Sequence, residues 1–477
     1  MKKGQITIYL TLIFTLILSV FLSAFEAARG SHLKIRMENA VQTAIHSTFG
    51  EYHRVLFERY GLLFVDTSYM SSIPDYHKME GRMEEYLEFN LKPETEQKLL
   101  FARDWYGIQD CNVTLSDIRV ATDDNGNVMK QQAVDYIQNY VGGNWIEEVQ
   151  SWIAITESEQ LDSNKFQAYQ EELDNDHSTD VEGNNLLGVE WTTGIGLPSF
   201  DFLNTYADSG VWETIMPGFE GISVKAFNPL EHASYRKNIQ GTEALENKEI
   251  DITQELFFGE YIMQKMGNYR NVREGSKLDY QVEYILFGNA QDSVNFGIML
   301  ESLFLFRGTA NLVMLLADTE TQEWIKGISE LGTLVYIPPE VLVVLINVCW
   351  AGAESVTDVK RLIKGDKVAL LKEPKDFAVG VECLLAGMHG NLLVDENAQN
   401  GKGPVLGYED YLRIFLYFIP SSTKSMRCMD MIEADIRLTE GNENFRMDAC
   451  VDAIGMEIGI TDGYGHFYTM NRKYSYF

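Results

Sequence analysis

Residues 5–25, QITIYLTLIFTLILSVFLSAF, decide the architecture of this chain because they contain no charged side chain. About 20 apolar residues at about 1.5 Å each form a helix about 30 Å long, which matches the hydrocarbon core of a bilayer. The helical pattern continues beyond this run, since no proline precedes Pro74. Residues 1–60 are therefore predicted to form one long helix, with a membrane-spanning first part (about 5–25) and an amphipathic second part.

The amphipathic part is indicated by apolar residues that recur at three- and four-residue steps, as on one face of a helix. These residues are Leu33, Met37, Val41, Ala44, Ile45, Phe49, Tyr52 and Leu56. This stripe is expected to pack on the chain's own domain or on partner subunits.

A cleavable signal peptide is the alternative interpretation of the N-terminus, with cleavage after Ala28. A signal peptide has a short apolar region, usually under about 15 residues, before a site with small residues. The apolar run here is longer, and Glu26 and Arg29 continue the helix beyond it. An uncleaved membrane anchor is therefore favoured.

Small residues recur along the same helix at strict four-residue spacing: Thr7, Thr11, Thr15, Ser19, Ser23, Ala27 and Ser31. Rows of this kind let two helices approach closely, and their hydroxyls can hydrogen-bond across the contact. Alternatively, each hydroxyl bonds a carbonyl of its own helix and has no role in assembly. Packing against a partner helix in the membrane is the functional prediction.

The composition is that of a folded, acidic protein. Apolar residues make up 45% of the chain and aromatic residues 12%, with a net charge of −31. This charge argues against nucleic acid as a partner, because nucleic-acid binding requires basic patches. It also argues against electrostatic docking on anionic lipid, and it identifies no small-molecule substrate.

The five cysteines are too few for a dense disulfide framework, and no CxxC motif indicates a zinc site. Cys428 and Cys450 are a candidate disulfide pair near the C-terminus. Cys349 lies in the apolar run VLVVLINVCW and is expected in the core.

Hydrophobic periodicity predicts an α+β fold: a helix-rich domain after the long helix, with a C-terminal β-hairpin. Strands are predicted at GLLFVD (61–66), at CNVTLSDIRVATD (111–123), and at 444–454 and 464–476. Helices are predicted near 76–91, 128–141, 144–156, 252–267, 278–287, 291–317, 320–330, 338–364, 407–418 and 422–438. The predicted divisions are 1–60 (anchor and extended helix), 61–156 (α+β part), 157–230 (acidic, Gly/Pro-rich linker or insertion) and 231–477 (helix-rich part with the hairpin).

Catalytic motifs are absent from the sequence: it has no GxSxG, HExxH, P-loop or GxGxxG turn. Two carboxylate pairs, Glu354 with Asp358 and Asp430 with Glu433, have a spacing that acid–base chemistry could use. Such pairs are also common on ordinary helix faces. No enzymatic activity and no cofactor are predicted.

Two patterns superficially suggest metal ligands. His46 and His53 share a helix face, but no carboxylate lies between them, so a packing or solvated role is favoured. Residues 123–127 (DDNGN) are similar to the opening of a calcium loop, but the glycine is misplaced and Val134 stands where glutamate is required. A hairpin turn at 123–127 is favoured, and no metal site is predicted.

Several segments resemble one group of proteins. The opening KKGQITIYLTLIFTLILSVFLSAFEAARGSHLKIRMENAVQTA and EYHRVLFERYGLLFVDTSY are similar to the start of uncharacterised Firmicute envelope proteins. These proteins are related in style to the TadE/TadG-like minor pilins of the tight-adherence (Tad) pilus. Further segments that resemble the group are LDYQVEYILFGNAQDSVN, CWAGAESVTDVKRLIKGDKV and MRCMDMIEADIRLTEGNENFRMDACVDAI.

The resemblance implies a membrane-anchored, pseudopilin-like component of a Tad-type assembly or secretion apparatus, with other pilin-like or Tad subunits as partners. It also implies a cytoplasmic N-terminus and a large domain outside the cell. Flanking charge does not decide this orientation, because Lys2 and Lys3 before the apolar run are balanced by Arg29, Lys34 and Arg36 after it.

The chain departs from the type IV pilin pattern in one respect. Lys2, Lys3 and Gly4 fit a prepilin leader, and cleavage after Gly4 would leave Gln5 at the N-terminus. The fifth mature residue would then be Tyr9, where pilins carry a glutamate that neutralises a neighbour's terminal amine. The resemblance therefore implies a minor, priming, tip or base component instead of a major fibre subunit.

Two alternatives of other classes remain open at the level of sequence. One is an anchored extracytoplasmic enzyme, such as a cell-wall polymer hydrolase, with carboxylates or histidines brought together from distant segments. The other is a ligand-sensing domain that signals through a membrane partner.

Overall fold

The structure is a computed structural model that describes residues 2–69, 71, 74–92, 106–140, 144–159, 161, 221–242, 251–330, 339–380 and 403–476. The helices are α1 Lys2–Phe49, α2 Arg54–Tyr60, α3 Tyr76–Leu91, α4 Asp123–Gln138, α5 Asn144–Ser158, α6 Ile252–Lys265, α7 Gln281–Phe287, α8 Asp292–Ala317, α9 Thr319–Ser329, α10 Pro339–Lys364, α11 Tyr408–Phe418 and α12 Ser421–Ile436. The strands are β1 Val65–Asp66, β2 Asp110–Val120, β3 Val368–Ala369, β4 Val405–Leu406, β5 Cys450–Thr461 and β6 Phe467–Ser475. The predicted α+β class, the long N-terminal helix and the C-terminal hairpin are confirmed.

The chain forms two compact units. The first contains residues 1–124, 238–247 and 441–477, and the second contains 125–237 and 248–440. The predicted insertion at 157–230 lies largely outside the described residues, as does Cys383.

The first unit is built on an antiparallel sheet with β5 at its centre. Strand β2 lies along one edge of β5, from Asp110 opposite Thr461 to Val120 opposite Val451. The hairpin partner β6 and the short β1 lie along the other edge. The sheet therefore joins the N-terminal and C-terminal parts of the sequence.

The second half of α1 packs into this unit as the apolar stripe predicts. Leu33, Met37, Val41 and Phe49 are at most 2% exposed. They share one core with Met79, Met83, Leu87 and Leu91 of α3 and with the apolar side chains of β2 and β5. The apolar residues that recur every three to four positions form one face of α1, and the sheet and α3 cover this face from water.

The predicted single helix over 1–60 is wrong at its end, because the structure has two helices there. Helix α1 ends at Phe49, directly before Gly50, a residue that disfavours the helix interior. The chain is then extended at His53, whose ring Nδ1 accepts a hydrogen bond from Leu56 N and caps α2. Gly61 ends α2 in the left-handed conformation (φ 73°).

The predicted hairpin turn at residues 123–127 is also wrong. Asp124, Asn125 and Gly126 do have positive φ (51°, 53° and 81°), as turn residues of these types allow. These residues lie in the first turn of α4 (Asp123–Gln138), however, and β2 pairs with β5 instead of with a following strand. The same turn residues serve strand–turn–helix and strand–turn–strand connections, so the local signal alone did not separate them.

The second unit is mainly helical. The seven helices predicted between 252 and 438 are confirmed as α6–α12, with ends that differ by at most three residues. Gly365, with a φ of 100°, ends α10 as expected. Within the apolar run 341–350 of α10, Ile346 and Trp350 are buried in a core that also holds Leu315 and Ile325.

Candidate functional site

The first part of α1 is a continuous apolar surface that no other part of the described chain covers. Its large apolar side chains between Ile6 and Phe25 are 43–72% exposed, although none of the residues in that stretch is charged. The helix is long and apolar enough to cross a membrane, and the most apolar window is 0% buried. Because exposing this much apolar surface to water is unfavourable, the segment is a candidate membrane anchor.

The small-residue row lies on this exposed segment, at Thr7, Thr11, Thr15, Ser19, Ser23 and Ala27. Thr11 Oγ1 donates to Thr7 O at 3.0 Å, and Thr15 Oγ1 donates to Leu12 O at 2.9 Å. These hydroxyls are thus satisfied within the helix, as the alternative interpretation expected. The row still leaves a strip without large side chains, which is the geometry that close helix packing requires.

Gly4 and Gln5, the candidate processing site, lie in the first turn of α1. Their side chains lie outside the described residues. The Gly4–Gln5 peptide bond therefore lies in a helical segment, at the point where the apolar run 5–25 begins.

Two further helices are long and apolar enough to cross a membrane. They are α8 and the segment Leu342–Lys364 of α10, whose apolar windows are 61% and 71% buried inside the chain. Both helices also carry buried charged residues: Arg307 on α8, and Glu354 and Asp358 on α10.

Glu354 and Asp358, the first predicted carboxylate pair, belong to a buried charge cluster in the second unit. Asp358 accepts hydrogen bonds from Arg307 Nε at 3.0 Å and from Lys372 Nζ. Glu354 accepts from Lys372 Nζ and, at 2.9 Å, from Val379 N. Each carboxylate in the cluster is thus paired with a cation, and all four charged side chains are at most 2% exposed. This arrangement is that of a buried structural network.

Asp430 and Glu433, the second predicted pair, lie on α12 in different surroundings. Asp430 accepts from Ser234 N at 2.9 Å and from the Tyr284 hydroxyl at 2.7 Å. Burial raises the pKa of Asp430 to about 7, although these hydrogen bonds oppose the shift. Glu433 pairs with Arg236 at 2.7 Å. The two carboxylates therefore have separate partners and do not form a shared acid–base pair.

Glu283 on α7 is a buried carboxyl group that no motif or spacing marked as a candidate. Its Oε1 accepts from Tyr408 Oη at 2.7 Å and from Tyr269 N at 3.0 Å. Its Oε2 has no hydrogen-bond partner within the described part of the chain. Burial raises the pKa of Glu283 to about 7, against the opposing effect of the Tyr408 hydrogen bond. A neutral, protonated Glu283 fits this apolar, tyrosine-rich site.

A shallow cleft in the second unit is lined by Trp145, Glu255, Glu260, Arg413 and Tyr417, with apolar side chains beneath them. Glu260 pairs with Arg413 at 2.8 Å. Glu255 pairs with Lys130 at 2.6 Å and Lys424 at 2.9 Å. Burial alone would raise the pKa of Glu255, but these lysines outweigh it and lower the pKa to about 2. Glu255 is thus held ionised by two lysines and Glu260 is paired with Arg413, which does not suit general acid–base catalysis.

The remaining predicted residues have local roles. Cys428 and Cys450, the candidate disulfide pair, are not bonded in the structure: both are free, buried thiols, Cys428 on α12 and Cys450 at the start of β5. His46 packs edge-on against Tyr474, and His53 caps α2 and hydrogen-bonds Asn442 Oδ1 at 2.9 Å. Among the described residues, no group of three His, Cys, Asp or Glu side chains is placed to hold a metal.

These features define an α+β protein whose N-terminal helix is a candidate membrane span. The chain belongs to a family of unknown function, DUF5702, whose model matches residues 198–462 and thus more than half of the chain. No curated protein and no solved structure matches the chain.

Proposed function

We propose that this protein is a membrane-anchored, pseudopilin-like structural component of a Tad-type pilus or secretion system. One observation supports this proposal most strongly. A single helix of 48 residues carries both the uncovered apolar segment and the stripe that packs into the first unit. The proposal follows the resemblance of the opening and of three further segments to uncharacterised Firmicute envelope proteins, which are related in style to TadE/TadG-like minor pilins.

The continuity of α1 is an argument for assembly over simple tethering. At about 1.5 Å per residue, α1 is about 72 Å long, of which about 30 Å would lie in the bilayer. Its last 17 residues, from Leu33 to Phe49, pack on the sheet and α3. The membrane segment and the unit are thus joined without a flexible linker. An enzyme tethered near a membrane does not require this rigidity, whereas a subunit with a fixed place in an assembly does.

The proposed arrangement is single-pass, with a cytoplasmic N-terminus and the large domain outside the cell. The burial of α8 and α10 within the second unit supports a single pass, because their apolar surface is largely covered by protein. The orientation follows from the resemblance.

The proposed role is that of a minor component. After cleavage behind Gly4, Tyr9 would occupy the position of the pilin glutamate. Glu26 cannot replace that glutamate, since it lies at the far end of the apolar run and pairs with Arg29 at 2.6 Å. The proposed partners are other pilin-like or Tad assembly subunits, contacted through the small-residue row.

The test is a clean deletion of the protein with three complementing chains. Deletion should reduce piliation or surface adhesion, and the full chain should restore it. A chain whose residues 6–25 are replaced by a leucine-rich span of the same length should reach the membrane but fail to restore it. A chain with Ile13→Leu and Ile17→Leu, off the small-residue row, should restore it fully.

Three results would contradict parts of the proposal. Normal pili and adhesion in the deletion strain would remove the assembly role. Full restoration of piliation and adhesion by the leucine-rich span would show that the first part of α1 only anchors the protein and makes no specific contact with a partner. Protease added to intact cells should degrade the domain, and protection of the domain would contradict the orientation.

A further inference from the structure

We propose that the tip of the β5–β6 hairpin, residues Asp462–Phe467, rests on the lipid headgroups of the membrane that holds α1. This inference relies on the proposed anchoring by residues 6–25. It adds a second contact with the membrane, made by the C-terminal part of the sequence through exposed aromatic rings.

Arg29 fixes the hairpin tip against α1 directly beyond the apolar run. Its guanidinium carbon lies 4.0 Å from the centroid of the Tyr464 ring. Its Nη2 lies 3.7 Å from Asp462 Oδ2. A backbone hydrogen bond of 3.0 Å from Gly463 N to Tyr106 O secures the tip from the other side. The position of the tip along the axis of α1 is thus determined within the first unit.

The height of this contact corresponds to the headgroup layer. Arg29 follows Phe25, the last residue of the apolar run, by four positions, or about 6 Å along the helix. Bilayers are about 40–45 Å thick with their headgroups and about 30 Å without, which leaves about 5–8 Å of headgroup layer on each side. A ring that stacks on Arg29 therefore lies in or at the edge of this layer.

The exposed chemistry of the tip suits a membrane interface. Tyr464 is 67% exposed and Phe467 is 64% exposed. Aromatic rings are enriched at this depth, because an apolar ring with a polar end fits the boundary between headgroups and acyl chains. The contact does not require basic side chains, which agrees with a net charge of −31.

The acidic residue of the tip is turned away from lipid phosphates. Asp462 is 0% exposed and accepts hydrogen bonds from Tyr464 N and His466 N, both at 2.9 Å. Burial alone would raise the pKa of Asp462, but the hydrogen bonds from His466 and Tyr464 outweigh it and hold the pKa below its usual value. The carboxylate thus stays ionised inside the turn, while the rings form its outer surface.

The test uses the full chain reconstituted in phosphatidylcholine vesicles, with a fluorophore on a single introduced cysteine. The tip variant is Tyr464→Cys. The matched control is Lys473→Cys, an exposed position on β6 about 20 Å further along the strand from Phe467. Leu18→Cys reports on the anchor, and the unsubstituted chain gives the background from native thiols.

A lipid with a nitroxide on its headgroup should quench the Tyr464→Cys label at least twofold more than the Lys473→Cys label. A nitroxide in mid-chain should quench the Leu18→Cys label. Equal quenching at positions 464 and 473, with Leu18→Cys quenched, would overturn the inference and leave the anchor intact. An unquenched Leu18→Cys label would overturn both the anchoring and the inference.

Discussion

The carboxyl group of Glu283 makes folding stability depend on pH. Its pKa is about 7 in the folded chain, against an ordinary value of 4.5. Between pH 4.5 and about 7 the folded chain thus retains a proton that the unfolded chain has released. This group therefore favours folding most at acidic pH, and its contribution falls as pH rises through this range.

Glu283→Gln should remove this loss of stability. Glutamine resembles the protonated acid, and its Oε1 can accept the same hydrogen bonds from Tyr408 and Tyr269. At about 1.36 kcal/mol per pKa unit, the shift from 4.5 to about 7 predicts that the variant is more stable than the natural chain by about 3 kcal/mol at pH 8. At pH 5 the two should agree within about 1 kcal/mol.

Urea unfolding at both pH values, with exposed Glu274→Gln as the control, measures this difference. The control should follow the natural chain at both values. An unchanged pH dependence in Glu283→Gln would show that Glu283 is ionised at neutral pH.

Arg307→Met should strongly destabilise the second unit, because it leaves Asp358 with a reduced complement of cations in a fully buried site. We expect Arg307→Met to lower the free energy of unfolding by about 3–5 kcal/mol. The control Arg54→Met, at an 83% exposed side chain, should lower it by under about 1 kcal/mol. Amide hydrogen exchange in α8 and α10 measures the first change locally. A cost for Arg307→Met as small as that of the control would contradict a structural role for the cluster.

The sequence identified these carboxylates only in part. Glu354 and Asp358 stand out by helical spacing, but their cations come from Arg307 and Lys372, on other segments of the chain. Glu283 has no local signal, since its raised pKa results from burial in the folded second unit. Helical spacing in the sequence thus identifies candidate carboxylate pairs, whereas their burial and ion pairing in the fold show whether they have a structural role.

Helix α1 shows how far periodicity predicts an element. Seven of the eight predicted stripe residues, all except Tyr52, are buried. The end of the helix was not predicted, because it depends on Gly50 and on the cap that His53 provides for α2. Hydrophobic spacing continues across that break, and periodicity therefore merged two helices into one.

Leu33→Ala should destabilise the first unit by about 2–5 kcal/mol, since Leu33 is 0% exposed in the core. Ile35→Ala, two residues away on the same helix and 59% exposed, should change stability by under about 1 kcal/mol. Amide hydrogen exchange in β5 and β6 reports on both variants. Equal effects would mean that α1 does not pack on the sheet through its predicted face.

Thr15→Leu combined with Ser19→Leu should weaken association of α1 with a partner helix, because larger side chains keep the backbones apart. Ile13→Leu combined with Ile17→Leu alters the opposite side of the helix and should leave association unchanged. Crosslinking in native membranes compares the two. Unchanged crosslinking in the first variant would remove the small-residue row as a contact.

At the scale of the whole molecule, the sequence predicted the class and most elements of the fold but not its division into units. Helices α6–α12 have strong local patterns and were found within a few residues. The first unit draws on residues 1–124 and 441–477, which meet through the pairing of β2 with β5. Pairing between segments more than 300 residues apart leaves no local signal, so linear divisions of the sequence could not anticipate it.

The most direct test of membrane anchoring is the N-terminal residue of the protein purified from native membranes, determined by intact mass. We expect an anchored chain that begins at Met1 or, after processing at Gly4, at Gln5, and that retains residues 6–25. A start at Gln5 would also place the protein in a prepilin-type pathway. A mature chain that begins at Arg29, after cleavage behind Ala28, would lack the apolar segment and contradict the proposed membrane anchoring.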